Sequence, residues 1–256
     1  MRTGARHRGS AASGHLRIYL SYAPGAGTTC ALLGEGRRRA EHGIDVVVAH
    51  VETHGRPHTQ ALLEGLEVIP PAAVRCRGTA VKEMDLGAVL ARSPQVALVD
   101  DFAHRNLPGA RHAWRWQDAA ALLAAGIEVI STVSVGHLDS LADVVAKITG
   151  AAPRQRVPDP AVRAADEVEM VDLAPEALRD RMARGQIYSP PEAEAALGAW
   201  FQTGNLGRCV SSPCCGWPPR WPATRGGTTP TAAIPLAVTP GSGWWSRSAA
   251  APKAKC

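Results

Sequence analysis

No run of eighteen apolar residues occurs in these 256 residues, so no segment is expected to span a membrane as a helix. Arg2, Arg6 and Arg8 open the chain without an apolar stretch behind them, so 1–13 is expected to be a disordered lead-in and not a signal peptide. Cysteine is scarce before residue 207, where only Cys30 and Cys76 occur. Two thiols cannot make a disulfide framework, and the expected location is a reducing cytoplasm. Acidic residues are missing from 207–256, which holds six Lys/Arg. What remains in 1–206 is 22 basic against 23 acidic residues, a net of −1, so the overall +5 belongs to the tail. The body has no basic stripe, and nucleic acid is not an expected partner. Periodicity is absent from the tail too, which is rich in Pro, Gly, Thr and Ala and carries four of the seven tryptophans. Such a segment buries too little to offset its ordering entropy, and disorder is expected over 207–256. Cys209, Cys214 and Cys215 lack the histidine or fourth spaced cysteine that a zinc site needs.

What is present begins at Leu16. An apolar run (Leu16, Ile18, Leu20) breaks at Pro24-Gly25-Ala26-Gly27, and a helical pattern starts after Thr28-Thr29. Strand, glycine turn, helix is the setting of a phosphate-binding loop, whose motif wants Gly, four spacers, then Gly-Lys-[Ser/Thr]. Ser21 stands where the first Gly belongs and Thr28 where the Lys belongs. Glycines at 25 and 27 let the backbone of Pro24–Thr29 curl so that the N–H groups of Gly25 to Thr29 converge on an anion, and the Thr29 hydroxyl takes the position that reaches Mg²⁺. The absent lysine contact is worth about 1.5–3 kcal/mol, roughly ten- to a hundredfold in affinity. The same order also fits a glycine-rich turn that binds nothing.

Further along, repeated strand-then-helix patterns predict an α/β fold with a mainly parallel sheet covered on both faces. Strands are expected at 44–51, 96–101, 127–135 and 166–173. Helices are expected at 59–64, 81–91, 114–125, 138–149, 175–184 and 191–200. Val96-Ala97-Leu98-Val99-Asp100-Asp101 is an apolar strand ending in paired acids. Asp100 there suits a Mg²⁺ shell, and Asp101 suits a catalytic, water-orienting role. His54, Arg56, His104, Arg111 and His112 fall in loops that an open sheet gathers on one edge. Arg56 or Arg111 could replace part of the lost lysine charge. His137 reads as a local cap or packing residue, and Trp116 and Trp200 as core or interface aromatics.

Six stretches, in order over about three quarters of the chain, carry a family resemblance. They are 51–57 (Val-Glu-Thr-His-Gly-Arg-Pro), 62–70 (Leu-Leu-Glu-Gly-Leu-Glu-Val-Ile-Pro), 97–100 (Ala-Leu-Val-Asp), 115–118 (Arg-Trp-Gln-Asp), 122–127 (Leu-Leu-Ala-Ala-Gly-Ile) and 166–173. With them, residues 14–206 resemble the N-terminal cytoplasmic domain of the KdpD sensor histidine kinases of potassium/turgor two-component systems. The resemblance implies a fold like that of the P-loop NTPases, a three-layer sandwich, and a regulatory domain that binds ATP and tunes a distant kinase. Its partners would be a nucleotide and either the remainder of such a kinase or another regulatory protein. The family loop reads Pro-Gly-Val-Gly-Lys-Thr where Pro24-Gly25-Ala26-Gly27-Thr28-Thr29 stands here, so ATP with Mg²⁺ is expected to be bound weakly or not at all. Asp-Glu of the family is Asp100-Asp101, and Asn-Val-Gln-His is Ser134-Val135-Gly136-His137. The family's phosphoacceptor and kinase regions are not found, so the chain is not expected to act as a kinase alone. Residual ATPase activity and an inert interaction domain are the alternatives, and the tail reads as out-of-frame translation.

Overall fold

The computed structural model describes residues 13–76, 79–149, 153–171, 173–184 and 186–187. The lead-in up to residue 12, the helix expected at 191–200 with Trp200, and the tail lie outside them.

Glycine and proline punctuation divides the chain as the pattern requires. β1 (Leu16–Ser21) runs through the glycine turn into α1 (Thr28–Glu41), and Gly43 at φ +80° ends that helix. β2 (Val46–His50), α2 (Pro57–Ala61), β3 (Glu67–Val68), β4 (Ala72–Cys76), β5 (Thr79–Glu83), α3 (Leu86–Arg92) and β6 (Val96–Val99) follow. Then come α4 (Arg115–Ala124), β7 (Glu128–Ser134), α5 (Asp139–Thr149), α6 (Asp159–Arg163), β8 (Glu167–Met170) and α7 (Pro175–Ala183). Six strands form one sheet in the order β3-β2-β6-β7-β1-β8, and each of its pairings is parallel.

Strand alternation explains why Val-Val-Val-Ala at 46–49 and Val-Ala-Leu-Val at 96–99 are wholly apolar. Tyr19, Val46, Val48, Val96, Leu98 and Ile130 pack against Leu32 and Leu33 of α1. Their neighbours Ile18, Leu20, Val47, Ala49, Ala97, Val99 and Val129 pack on the other side with Leu86, Leu122, Val145, Leu178 and Met182 of α3, α4, α5 and α7. A parallel sheet buried on both faces has no polar side to alternate with. The outer strands differ: Glu67 and Val68 of β3 and Glu169 and Met170 of β8 are exposed, and the charges discourage further pairing.

Two expectations are corrected here. Residues 81–83 are not helical: they belong to β5, antiparallel to β4 with Ala72 opposite Glu83 and Val74 opposite Val81. The helix begins later because Asp85 caps it, its carboxylate accepting the Ala88 amide at 2.9 Å. The expected helix at 59–64 starts earlier, with Pro57 in its first turn, where a missing N–H costs nothing. Gly36 also has a role that helix propensity hides. A Cβ there would lie 2.4 Å from Leu98 Cδ1, so glycine is what lets α1 approach β6.

Candidate functional site

The glycine turn leaves the carboxyl end of β1 with Gly25 at φ +87° and Gly27 at φ +111°, both left-handed. Gly27 is the N-cap of α1, and its carbonyl accepts the Ala31 amide at 3.0 Å. No side chain caps this end and no acid sits in the first turn. The amides of Thr28, Thr29 and Cys30 therefore have no partner inside the helix, and they stand at its positive end.

Thr29 ties this turn to the second motif. Its Oγ1 donates to Asp100 Oδ2 at 3.1 Å, although β7 lies between β1 and β6 in the sheet. The intervening strand contributes Thr132, whose Oγ1 donates to Asp100 Oδ1 at 2.5 Å. Asp100 is buried, and burial pushes its carboxyl above the usual range despite the bonds from Thr132, Thr29 and the Asp101 amide. Asp101 has φ +56°, a left-handed conformation that is strained for a residue with a Cβ. Burial raises its carboxyl to about 7, with His104 opposing and Asp100 adding to the rise. Its Oδ2 is buried without a hydrogen bond, 3.9 Å from His104 Nδ1.

Behind the two aspartates lies a buried ionic cluster. Arg115 is fully buried at the start of α4, with Nη1 donating to the Asp100 carbonyl at 3.2 Å and Nη2 to Glu83 Oε2 at 3.1 Å. Glu83 Oε1 also meets His104 Nε2 at 3.0 Å and accepts the Leu107 amide at 3.3 Å. Burial alone would raise Glu83, but the His104 bond and the charge of Arg115 outweigh it and hold the carboxyl low. His50 at the end of β2 stacks on His104 with centroids 6.5 Å apart, and burial drops it to about 3.

The candidate cations separate. Arg56 Nη2 donates to the Ile187 carbonyl at 2.8 Å, and Ile187 packs so close to Gly25 that a Cβ there would lie 2.4 Å from its Cδ1. Arg111 is exposed and makes no hydrogen bond or ion pair among the described residues, and nothing brings it to the turn. Its loop is braced elsewhere: Asp118 takes His112 Nδ1 at 2.7 Å and the Asn106 amide at 2.6 Å. His137 lies in a turn after β7 with Nδ1 buried and without a hydrogen bond, and burial lowers it to about 4. Trp116 packs half-buried against the core.

Sequence reasoning missed Glu83 and Arg181. The local pattern places Glu83 in a helix, where it would not reach the site. Arg181 lies 156 residues from Gly25, whose carbonyl its Nη1 reaches at 3.4 Å. Cys30 shows the convergence: burial raises its thiol, while Arg56 and Arg181 both pull it down. Arg115 carried one faint signal, a charged residue opening a helix that is wholly apolar from Ala119 onward.

The donor set suits a polyphosphate with a hard cation. Thr29 Oγ1 and Asp100 Oδ2 are oxygen atoms that could hold such a cation, 3.1 Å apart, beside a turn shaped by two left-handed glycines. Among the described residues no group of three or more His, Cys, Asp or Glu could hold a metal by itself. Mg²⁺ is ordinarily bound in that sparse way, by one or two protein oxygens plus phosphates and waters.

A protein-family model described as the osmosensitive K⁺ channel His kinase sensor domain matches residues 12–209. The sensor protein KdpD of Mycobacterium tuberculosis is 56% identical over 193 residues, 75% of this chain and 22% of that protein. KdpD of Escherichia coli K12 is 48% identical over 204 residues, 80% of this chain and 22% of that one. A putative KdpD of Synechocystis is 46% identical over 193 residues, 75% of this chain and 52% of its own length. The chain thus spans about a fifth of the M. tuberculosis and E. coli relatives. No helix among the described residues is long and apolar enough to cross a membrane. Over most of its length, the chain belongs to the KdpD sensor-domain family.

Proposed function

We propose that this chain is a regulatory input domain of a KdpD-type potassium sensor, working in the cytoplasm. It binds ATP weakly with Mg²⁺ at the glycine turn and passes that state to the rest of a kinase or to another regulatory protein. In this reading the sheet and its helices are a P-loop NTPase-like sandwich. The observation that carries it is the Thr29–Asp100 hydrogen bond across the intervening strand. A turn with only a structural role has no need of a hydroxyl and a carboxylate meeting under its amides. The ion would sit between Thr29, Asp100 and phosphate oxygens, and would offset the burial that now disfavours the Asp100 charge.

Titration of the purified chain with a fluorescent ATP analogue, with and without Mg²⁺, tests the reading. Mg²⁺-dependent binding in the high-micromolar to millimolar range is expected, and Thr28→Lys should tighten it by about ten- to a hundredfold. Absence of binding in both proteins would leave a purely structural turn.

A second reading, residual ATP hydrolysis, draws on Asp101, which is strained, incompletely bonded and raised to about 7. A carboxyl near neutrality can accept a proton from water. Phosphate release that exceeds background and vanishes in Asp101→Asn would support it.

A further inference from the structure

We propose that Arg181 of α7 supplies to the ligand's phosphates the positive charge that the turn lacks at Thr28. This rests on the nucleotide reading above and names a contact that the motif does not contain. The turn itself carries no cation, but a guanidinium from the far end of the described chain reaches it. Arg181 Nη1 lies 3.4 Å from the Gly25 carbonyl and 4.0 Å from where a Cβ on Gly27 would stand.

Three contacts hold α7 over the turn. Leu178 and Met182 are fully buried in the core and fix the helix on its apolar side. Just before the helix, the Leu173 carbonyl accepts a hydrogen bond from the hydroxyl of Tyr22, which follows β1 directly. Just after it, the Ile187 carbonyl accepts from Arg56 while the Ile187 side chain packs on Gly25. Arg181 is therefore carried on an element anchored at both ends to the site.

Its bonding sets it apart from the structural arginines. Arg17, Arg39 and Arg115 each meet a carboxylate within 3.3 Å. Among the described residues Arg181 makes no ion pair, and the one acceptor of its side chain there is a carbonyl at the long end of hydrogen bonding. A guanidinium so placed can exchange that weak bond for a charge-assisted, bidentate one to phosphate.

The test is equilibrium titration of the full chain with a fluorescent ATP analogue and Mg²⁺, with folding followed by circular dichroism. Arg181→Gln should weaken binding about ten- to a hundredfold, and adding Thr28→Lys to that variant should restore it. Arg181→Lys should bind within about tenfold of the unmodified chain, a rescue that a packing role would not produce. If Arg181→Gln loses its fold, the lysine variant decides, and a folded lysine variant weaker by about a hundredfold or more overturns the proposal. Equal affinity in Arg181→Gln and the unmodified chain overturns it while leaving the nucleotide site standing. So does binding that appears only with Thr28→Lys. Failure of both the unmodified chain and Thr28→Lys to bind removes the nucleotide reading as well.

Discussion

Helix α1 borders two clusters of charge that are built differently. Midway along it, Glu35 is buried yet meets Arg17 at 3.3 Å and Arg38 and Arg39 at 2.7 Å each, while Arg39 also reaches Glu128 at 2.6 Å and Arg17 reaches Glu169 at 2.8 Å. Burial alone would raise the Glu35 carboxyl, but the arginine hydrogen bonds outweigh it and hold it low. At the amino end of the same helix, Asp100 and Asp101 are also removed from water, but the Asp100 carboxylate meets only hydroxyls and an amide, Asp101 Oδ2 has no hydrogen bond, and both carboxyls are raised. The first cluster is complete within the chain. The second holds carboxylates whose charge lacks a matching cation in direct contact, as at a site that a cation-bearing ligand completes. Comparable burial thus has opposite consequences, decided by whether a guanidinium arrives with it.

The largest expected effect comes from the cluster that supports the second site. Arg115→Met removes the guanidinium that, among the described residues, is bonded to Glu83 and leaves a buried carboxylate with His104, and should cost about 3–5 kcal/mol in urea unfolding. A cost below about 1 kcal/mol would mean that the cluster is not needed to hold Asp100.

Asp101→Asn sharpens the contrast in protonation. The carboxyl lies near 3.8 when unfolded and about 7 when folded, so the native state favours the protonated form. Its contribution is full below pH 3.8 and is lost as pH rises through 7. The asparagine variant should therefore gain stability relative to the unmodified chain between pH 4 and 7, by up to about 4 kcal/mol. Parallel stability curves for the two proteins would sink this assignment.

Glu35→Gln should show the reverse sign. A lowered carboxyl adds stability above its unfolded value of 4.5, lost as pH falls below it. The substitution should cost about 1–3 kcal/mol at pH 7 and much less at pH 3, read from urea midpoints. The smallest effect belongs to Arg92, which bridges Asp45 at 2.7 Å and Glu67 at 2.9 Å on the exposed surface. Arg92→Ala should leave the unfolding midpoint unchanged within error, because water screens that pair.

Much of this architecture was legible in advance. Apolar tetrads at 46–49 and 96–99 call for a sheet buried on both faces, and Gly25-Ala26-Gly27 before a helix calls for a turn with open amides. Asp100 at a strand end and Thr29 at a helix start were legible as separate candidates. Their contact was not, because nothing local says that a strand inserted between β1 and β6 brings the two ends together. Local reading also failed at 81–83, where residues expected to open a helix pair instead with 72–74 of β4. Arg111 and Arg181 show the same limit. Both are cations in polar surroundings, and only the path of the chain decides which one reaches the turn.

The sequence by itself determined the class of fold, the glycine turn, the missing lysine and the family, since these rest on local sterics, hydrophobic period and ordered motifs. Tertiary structure alone decided which carboxylates are matched by arginine, that Asp101 is strained and raised, and that α7 places Arg181 beside the turn. Those properties depend on distances between groups far apart in the chain and on water excluded by packing, and neither is written in any single stretch of residues.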